Sequence, residues 1–235
     1  MKNLPSFTIQ ENPRAKKVIL KISPHHGLVV VIPQGFSKKD VPKIINEKKA
    51  WIERAFRKIE QRGLKPDKPR ELPTSIHLPA IKKDFNFEYA PAPITNLELK
   101  QITPSQFRIT GDNTNLEGCQ YLLKHWLKYQ GRVHLIPWLK NLSSETKLNY
   151  QRAHIRGQKS RWGSCSGRGN INLNYNLLFL RPELVRYIIL HELCHTVHLN
   201  HSDQFYSMFG ELEPGYQELR AEMKIAWEQL PWWAL

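Results

Sequence analysis

The stretch His191-Glu192-Leu193-Cys194-His195, with His201 six residues further on, constrains this chain more than any other. On an α-helix, residues i and i+4 lie one turn apart on the same face. His191 and His195 can therefore both reach one Zn²⁺ at about 2.0–2.1 Å. Glu192, beside the first of them, stands where a general base takes a proton from a metal-activated water. The spacing carries this meaning only on a helix, and the preceding run, Pro182-Glu183-Leu184-Val185-Arg186-Tyr187-Ile188-Ile189-Leu190, supplies one. It begins with proline at the first helical position and an acid in the first turn. A helix that merely happened to carry histidines would leave Glu192 beside an apolar face without a role.

Several residues compete for the third ligand position. His198 lies at i+7 from His191, about 10 Å along a helix axis. An uninterrupted helix cannot bring it onto the same metal, so it reads as a residue behind the site or at the surface. Asn200 favours the left-handed conformation that ends helices, and a chain turning back there would carry His201 toward the metal. Ser202 then reads as the cap of a following helix. A Glu on the final helix, Glu218 or Glu222, would instead complete a His₂Glu set. His201 is the preferred reading. Three protein ligands leave a fourth position for water, which catalysis requires and a structural staple does not.

No run among the 235 residues approaches the roughly 18 apolar residues of a membrane span. The N-terminus has no apolar leader segment, and Cys119, Cys165 and Cys194 form neither a paired framework nor a CxxC knuckle. A cytoplasmic protein without a membrane partner is expected. Cys194, inside the zinc motif, reads as a small buried apolar residue. The net charge of +14 is uneven, with +10 of it on residues 1–100. Such a surface attracts nucleotides, nucleic acid or acidic proteins, and it also fits a plain solvated face. No zinc knuckle, aromatic RNA-binding signature or helix-turn-helix accompanies it.

The periodicity predicts strands at 17–22 and 27–33, joined by a turn at Ser23-Pro24-His25-His26 whose histidines read as turn residues. A helical pattern starts at Ser37 as cap, with Val41, Ile44, Ile45, Trp51, Ile52 and Phe56 as its apolar stripe. Proline and charge crowd 62–70, a linker or loop. Short alternating runs follow at 75–78, 85–89, 97–102 and 106–109, then a long helix from Asn115 with a kink or break at Pro137. A strand at 151–156 and a turn-rich stretch at 157–166 precede 170–176, where apolar residues and asparagines alternate strictly. The edge of that strand, with Asn172 and Asn174, could hold an extended peptide by strand addition; an ordinary strand with a wet face is the alternative. Arg161 and Trp162 are further candidates for a substrate cleft, against roles as ion-pair partner and core residue. The end of the chain reads as a helix over 211–229, with Trp232 and Trp233 packing on the domain. The expected organisation is 1–65, 66–115 and 116–235.

Taken together, Arg161-Trp162-Gly163-Ser164-Cys165-Ser166, Gly169-Asn170-Ile171-Asn172-Leu173-Asn174, the HExxH run and Asn200-His201-Ser202 with Phe205 resemble the YgjP-like metallopeptidase family. The likeness takes in the N-terminal hairpin and Ala50-Trp51-Ile52, and so covers most of the chain. It implies an α+β fold, a small β-rich N-terminal region followed by a minimal zincin core related to SprT-like and WLM-type metallopeptidases. It also implies zinc on His191, His195 and His201, Glu192 as the catalytic residue, and a protein or peptide substrate. The family has been linked to nucleotide phosphohydrolysis as well, and the basic N-terminal region would suit a polyphosphate or a nucleic-acid-associated protease. Phosphohydrolysis more naturally wants carboxylate-bound Mg²⁺, and no Asp/Glu cluster surrounds the motif. A non-catalytic zinc module would have no use for Glu192 or an open ligand position.

Overall fold

The architecture comes from a computed structural model that describes residues 7–23, 27–61, 71–92 and 96–235. The turn carrying His25 and His26 and the linker at 62–70 lie outside the described residues. Among the described residues, six α-helices and ten strands in three mixed sheets make an α+β protein, and no described helix is long and apolar enough to cross a membrane. The chain divides into two units, Met1–Arg70 and Glu71–Leu235.

In the first unit, β1 (Phe7–Glu11), β2 (Ile19–Ser23) and β3 (Gly27–Ile32) form a sheet in the order β1-β3-β2. The expected hairpin is there, β2 antiparallel to β3, but β1 adds a parallel neighbour that local periodicity did not single out. Leu28, Val30 and Ile32 of the central strand pack with Val41, Ile45 and Ile52. The helical stretch is broken: a single turn at Lys38–Asp40 leads to α1 (Val41–Glu47), and α2 (Lys49–Gln61) restarts after Lys48. Ser37 makes no side-chain cap, and Trp51, expected on the apolar stripe, is exposed while Ile52 and Ile59 are buried.

The second unit has one core. Strands β4 (Ser75–Leu78), β5 (Lys83–Pro91), β6 (Glu98–Thr103) and β7 (Gln106–Gly111) form a sheet ordered β4-β5-β7-β6. Phe85, Phe87 and Phe107 surround Trp126 with ring centroids at 5.1, 5.0 and 5.7 Å. Strands β4 to β7 thus share one core with the helices and strands of residues 116–235. Trp126 lies on α3 (Leu116–Thr146), capped by the Asn115 side chain, which accepts from the Gly118 N–H at 2.9 Å. Of the kink or break expected at Pro137 the break does not occur: this 31-residue helix runs through the proline. Proline removes one helical hydrogen bond, but burial of Leu135, Leu139 and Leu142 on either side outweighs that loss.

Strands β8 (Arg152–Arg156), β9 (Gly163–Cys165) and β10 (Asn170–Asn174) form the third sheet, in the order β8-β10-β9. A helical turn at Tyr175–Phe179 leads into α4 (Pro182–Cys194), followed by α5 (Asp203–Leu212) and α6 (Tyr216–Met223). Arg181, just before α4, is held to Glu222 of α6 at 2.6 Å and to Glu183 at 2.9 Å, while Arg186 reaches Glu213 at 3.1 Å. Trp233 is buried, edge-on to Phe179 at 5.6 Å.

Candidate metal centre

Proline at the start of α4 carries no N–H to waste, and the helix then runs to Cys194 with Leu184, Val185, Ile189, Leu190 and Leu193 buried. That burial fixes the rotation of the helix and turns His191 and His195 to one side. Their Nε2 atoms are 3.1 Å apart, and the Nε2 of His201 is 3.1 Å from that of His191. Tetrahedral ligation at about 2.0–2.1 Å separates donors by about 3.3 Å, so the three nitrogens have the spacing of a shared ion. They are the one group of three or more His, Cys, Asp or Glu side chains among the described residues that could hold a metal.

The tautomer of His195 follows from its other nitrogen. Nδ1 faces the carbonyl oxygen of His198 at 2.9 Å. A carbonyl can only accept, so Nδ1 carries the proton and Nε2 presents its lone pair to the centre. His198 thus takes part through its backbone alone. Beneath the centre, Phe205 is fully buried against His191, His195 and His201 at centroid distances of 5.1, 4.6 and 4.9 Å. Burial, aided by the neighbouring His195, His201 and Arg220, holds His191 down to about 3. His201 is lowered as well, chiefly by burial. Neutral imidazoles are the form a metal requires.

His201 arrives by a route other than the expected one. No described non-glycine residue of this segment has positive φ, Asn200 included. The helix instead tightens after Cys194 through Thr196 N–H to Leu193 O at 2.9 Å and Val197 N–H to Cys194 O at 3.1 Å. Ser202 then caps α5, accepting from the Phe205 N–H. Of the competing carboxylates, Glu222 is engaged by Arg181, and Glu218 is exposed outside the histidine cluster.

Glu192 is buried, and its Oε2 has no hydrogen-bond partner. Burial pushes its carboxyl up to about 8, with the positive charge of Arg161 opposing the rise. It lies against Gly163 of β9, where a side chain would collide with it: a Cβ there would sit 2.5 Å from Oε1. Beside Glu192 and His191 opens a cavity of about 410 Å³, walled by Trp162, Tyr187, Met223 and Trp227 and rimmed by Arg161, Arg220 and Lys224. Trp162 is buried and stacked on Trp227 at 4.1 Å, so it is a core residue and a cavity wall at once.

The asparagine strand is not an edge. β10 lies between β8, parallel to it, and β9, antiparallel to it, so the expectation of a free edge at Asn172 and Asn174 is corrected. Strand β9 is the outer neighbour on the Glu192 side. Asn172 donates to Ser164 Oγ at 3.1 Å across that pair. Asn174 is fully buried, its amide donating to the carbonyls of Gln158 at 2.6 Å and Arg161 at 2.9 Å. It ties the 158–161 loop to the sheet and so places Arg161. Sequence reasoning gave no role to Gly163, Tyr187 or Arg220. The glycine inside Trp162-Gly163-Ser164 was the available signal.

No curated protein and no solved structure matches the chain. The YgjP-like metallopeptidase domain does match, over residues 16–226, a span that takes in strands β2 and β3, the Arg161–Ser166 stretch and all three histidines. The chain therefore belongs to the YgjP-like metallopeptidase family.

Proposed function

We propose that the chain is a zinc-dependent peptidase in which His191, His195 and His201 hold the metal and Glu192 is the general base. The observation that carries this reading is the convergence of three Nε2 atoms beside a buried, unpartnered carboxylate. When bound, zinc lowers the pKa of a coordinated water toward 7 and polarises a substrate carbonyl. The chain's own residues do the rest. The lone pair of His195 Nε2 is aimed by the His198 carbonyl, and Phe205 keeps the three rings from tilting. Glu192 accepts a proton from the attacking water and delivers it to the leaving amine, its dry setting keeping the carboxylate basic. Strand β9, with Gly163 against Glu192, offers the edge along which an extended substrate lies by strand addition. Three nitrogen donors suit zinc rather than Mg²⁺, which prefers oxygen ligands.

The test combines metal analysis with a peptide and nucleoside-triphosphate panel. His201→Ala is expected to lose zinc, while Glu218→Ala and Glu222→Ala keep it. Glu192→Gln is expected to keep zinc and lose roughly 10²–10⁴-fold in peptide cleavage. Phosphate or pyrophosphate release that needs Mg²⁺ and survives Glu192→Gln, with no peptide cleaved, would replace this reading with nucleotide hydrolysis.

A further inference from the structure

The cavity beside Glu192 has a charge pattern that the catalytic chemistry does not require. Its rim carries Arg161, Arg220 and Lys224, and its lining contains no acid other than Glu192 itself. Arg181 and Arg186, close by in sequence, are paired with carboxylates, whereas none of these three forms an ion pair among the described residues. Arg220 rests over the Tyr206 ring, Cζ 5.5 Å from the centroid. A cation over a ring is held in place while its N–H donors stay free. The cavity wall adds one more unsatisfied donor: Trp162 is 8% exposed, and its Nε1 has no partner. Three cationic side chains thus rim a partly aromatic space of about 410 Å³ whose one carboxylate is that of Glu192.

Resting on the peptidase reading, we propose that this cavity is a carboxylate subsite: the substrate places a carboxylate next to the scissile bond, between Arg161, Arg220 and Lys224. An aspartate or glutamate side chain and a free C-terminus both present that group. An apolar stem fits against Trp162 and Trp227, and the head accepts the charge-assisted hydrogen bonds. Like charge repels a lysine or arginine from the same place. The selectivity is electrostatic and so weakens with salt.

The experiment uses the zinc-loaded protein and peptides that differ only beside the cleaved bond (Glu, Gln or Lys on either side), together with peptides ending in a free acid or an amide. Wild type is expected to favour Glu over Gln, or acid over amide, by about tenfold in kcat/KM. The first preference identifies a side chain and the second a chain end. Arg220→Gln and Lys224→Gln should reduce that preference while changing neutral peptides less than about twofold, and Arg220→Glu should turn it toward Lys. Equal losses on acidic and neutral peptides, or no preference in wild type, would overturn the proposal. A second measurement separates it from the peptidase reading: binding of labelled Glu and Gln peptides to Glu192→Gln protein, with inorganic pyrophosphate as competitor. Glu-selective binding that Arg220→Gln removes supports the subsite even if no peptide is cleaved. Binding without selectivity, or pyrophosphate bound far more tightly than any peptide, overturns it.

Discussion

Gly163 and Glu192 are in van der Waals contact across the β9–α4 packing, and a methyl group on Gly163 would stand 2.5 Å from the Glu192 Oε1 and 2.7 Å from its Cγ. The relationship makes the glycine a condition for the position of the buried carboxylate. Gly163→Ala should displace Glu192 and leave the histidines untouched. Peptide cleavage is expected to fall by at least about a hundredfold, with zinc content unchanged by metal analysis. Full activity in this variant would show that the carboxylate position is not critical.

The metal-free protein should be most stable near pH 6.5, change least between about pH 4.5 and 6.5, and lose stability on both sides of that window. His191 is held down to about 3 from its ordinary 6.5. Its contribution is therefore complete above 6.5 and lost as pH falls through 3. Glu192 is pushed up to about 8 from 4.5, so its contribution is complete below 4.5 and lost as pH rises through 8. Between 4.5 and 6.5 the His191 and Glu192 slopes oppose, and His201, also lowered by burial, adds a rise toward 6.5. Denaturant titrations of chelated protein across pH check this: Glu192→Gln should flatten the curve above 6.5 and, with the histidine slope then unopposed, make stability rise steadily from 4.5 to 6.5.

Asn174→Ala should destabilise the protein by about 1–3 kcal/mol, because it removes the donor to the part-buried carbonyls of Gln158 and Arg161 and strands the buried Asn176 N–H. Chemical denaturation gives the number. The same variant should loosen the 158–161 loop, seen as faster amide exchange there.

Pro137→Ala should stabilise. Pro137 is exposed inside α3, and without its ring the Val133 carbonyl regains a helical donor. A gain of about 2 kcal/mol is expected after allowing for the freer unfolded chain. Unchanged or lower stability would mean that the ring makes contacts worth as much as the lost hydrogen bond.

What the sequence determined by itself is local. The His191/His195 spacing, the Pro182 start of the helix, the helix start near Asn115, the Ser202 cap and the strands at 75–78 and 106–109 follow from periods of 3.6 and 2 and from the few side chains that satisfy a helix end. What only the tertiary structure decided depends on which elements meet. β10 carries the alternation of a half-exposed strand, yet β8 and β9 cover both its edges, and Asn174 lies buried because the 158–161 loop needs a donor there. Trp51 keeps helical spacing but is exposed, since the break at Lys48 resets the face that packs. Gly163 shows no periodicity at all; its identity is set by a carboxylate 29 positions away in the chain, through contact in space. Propensity and spacing act over one or two turns, whereas strand order, cavity walls and the approach of Gly163 to Glu192 are settled by packing between segments far apart in the chain.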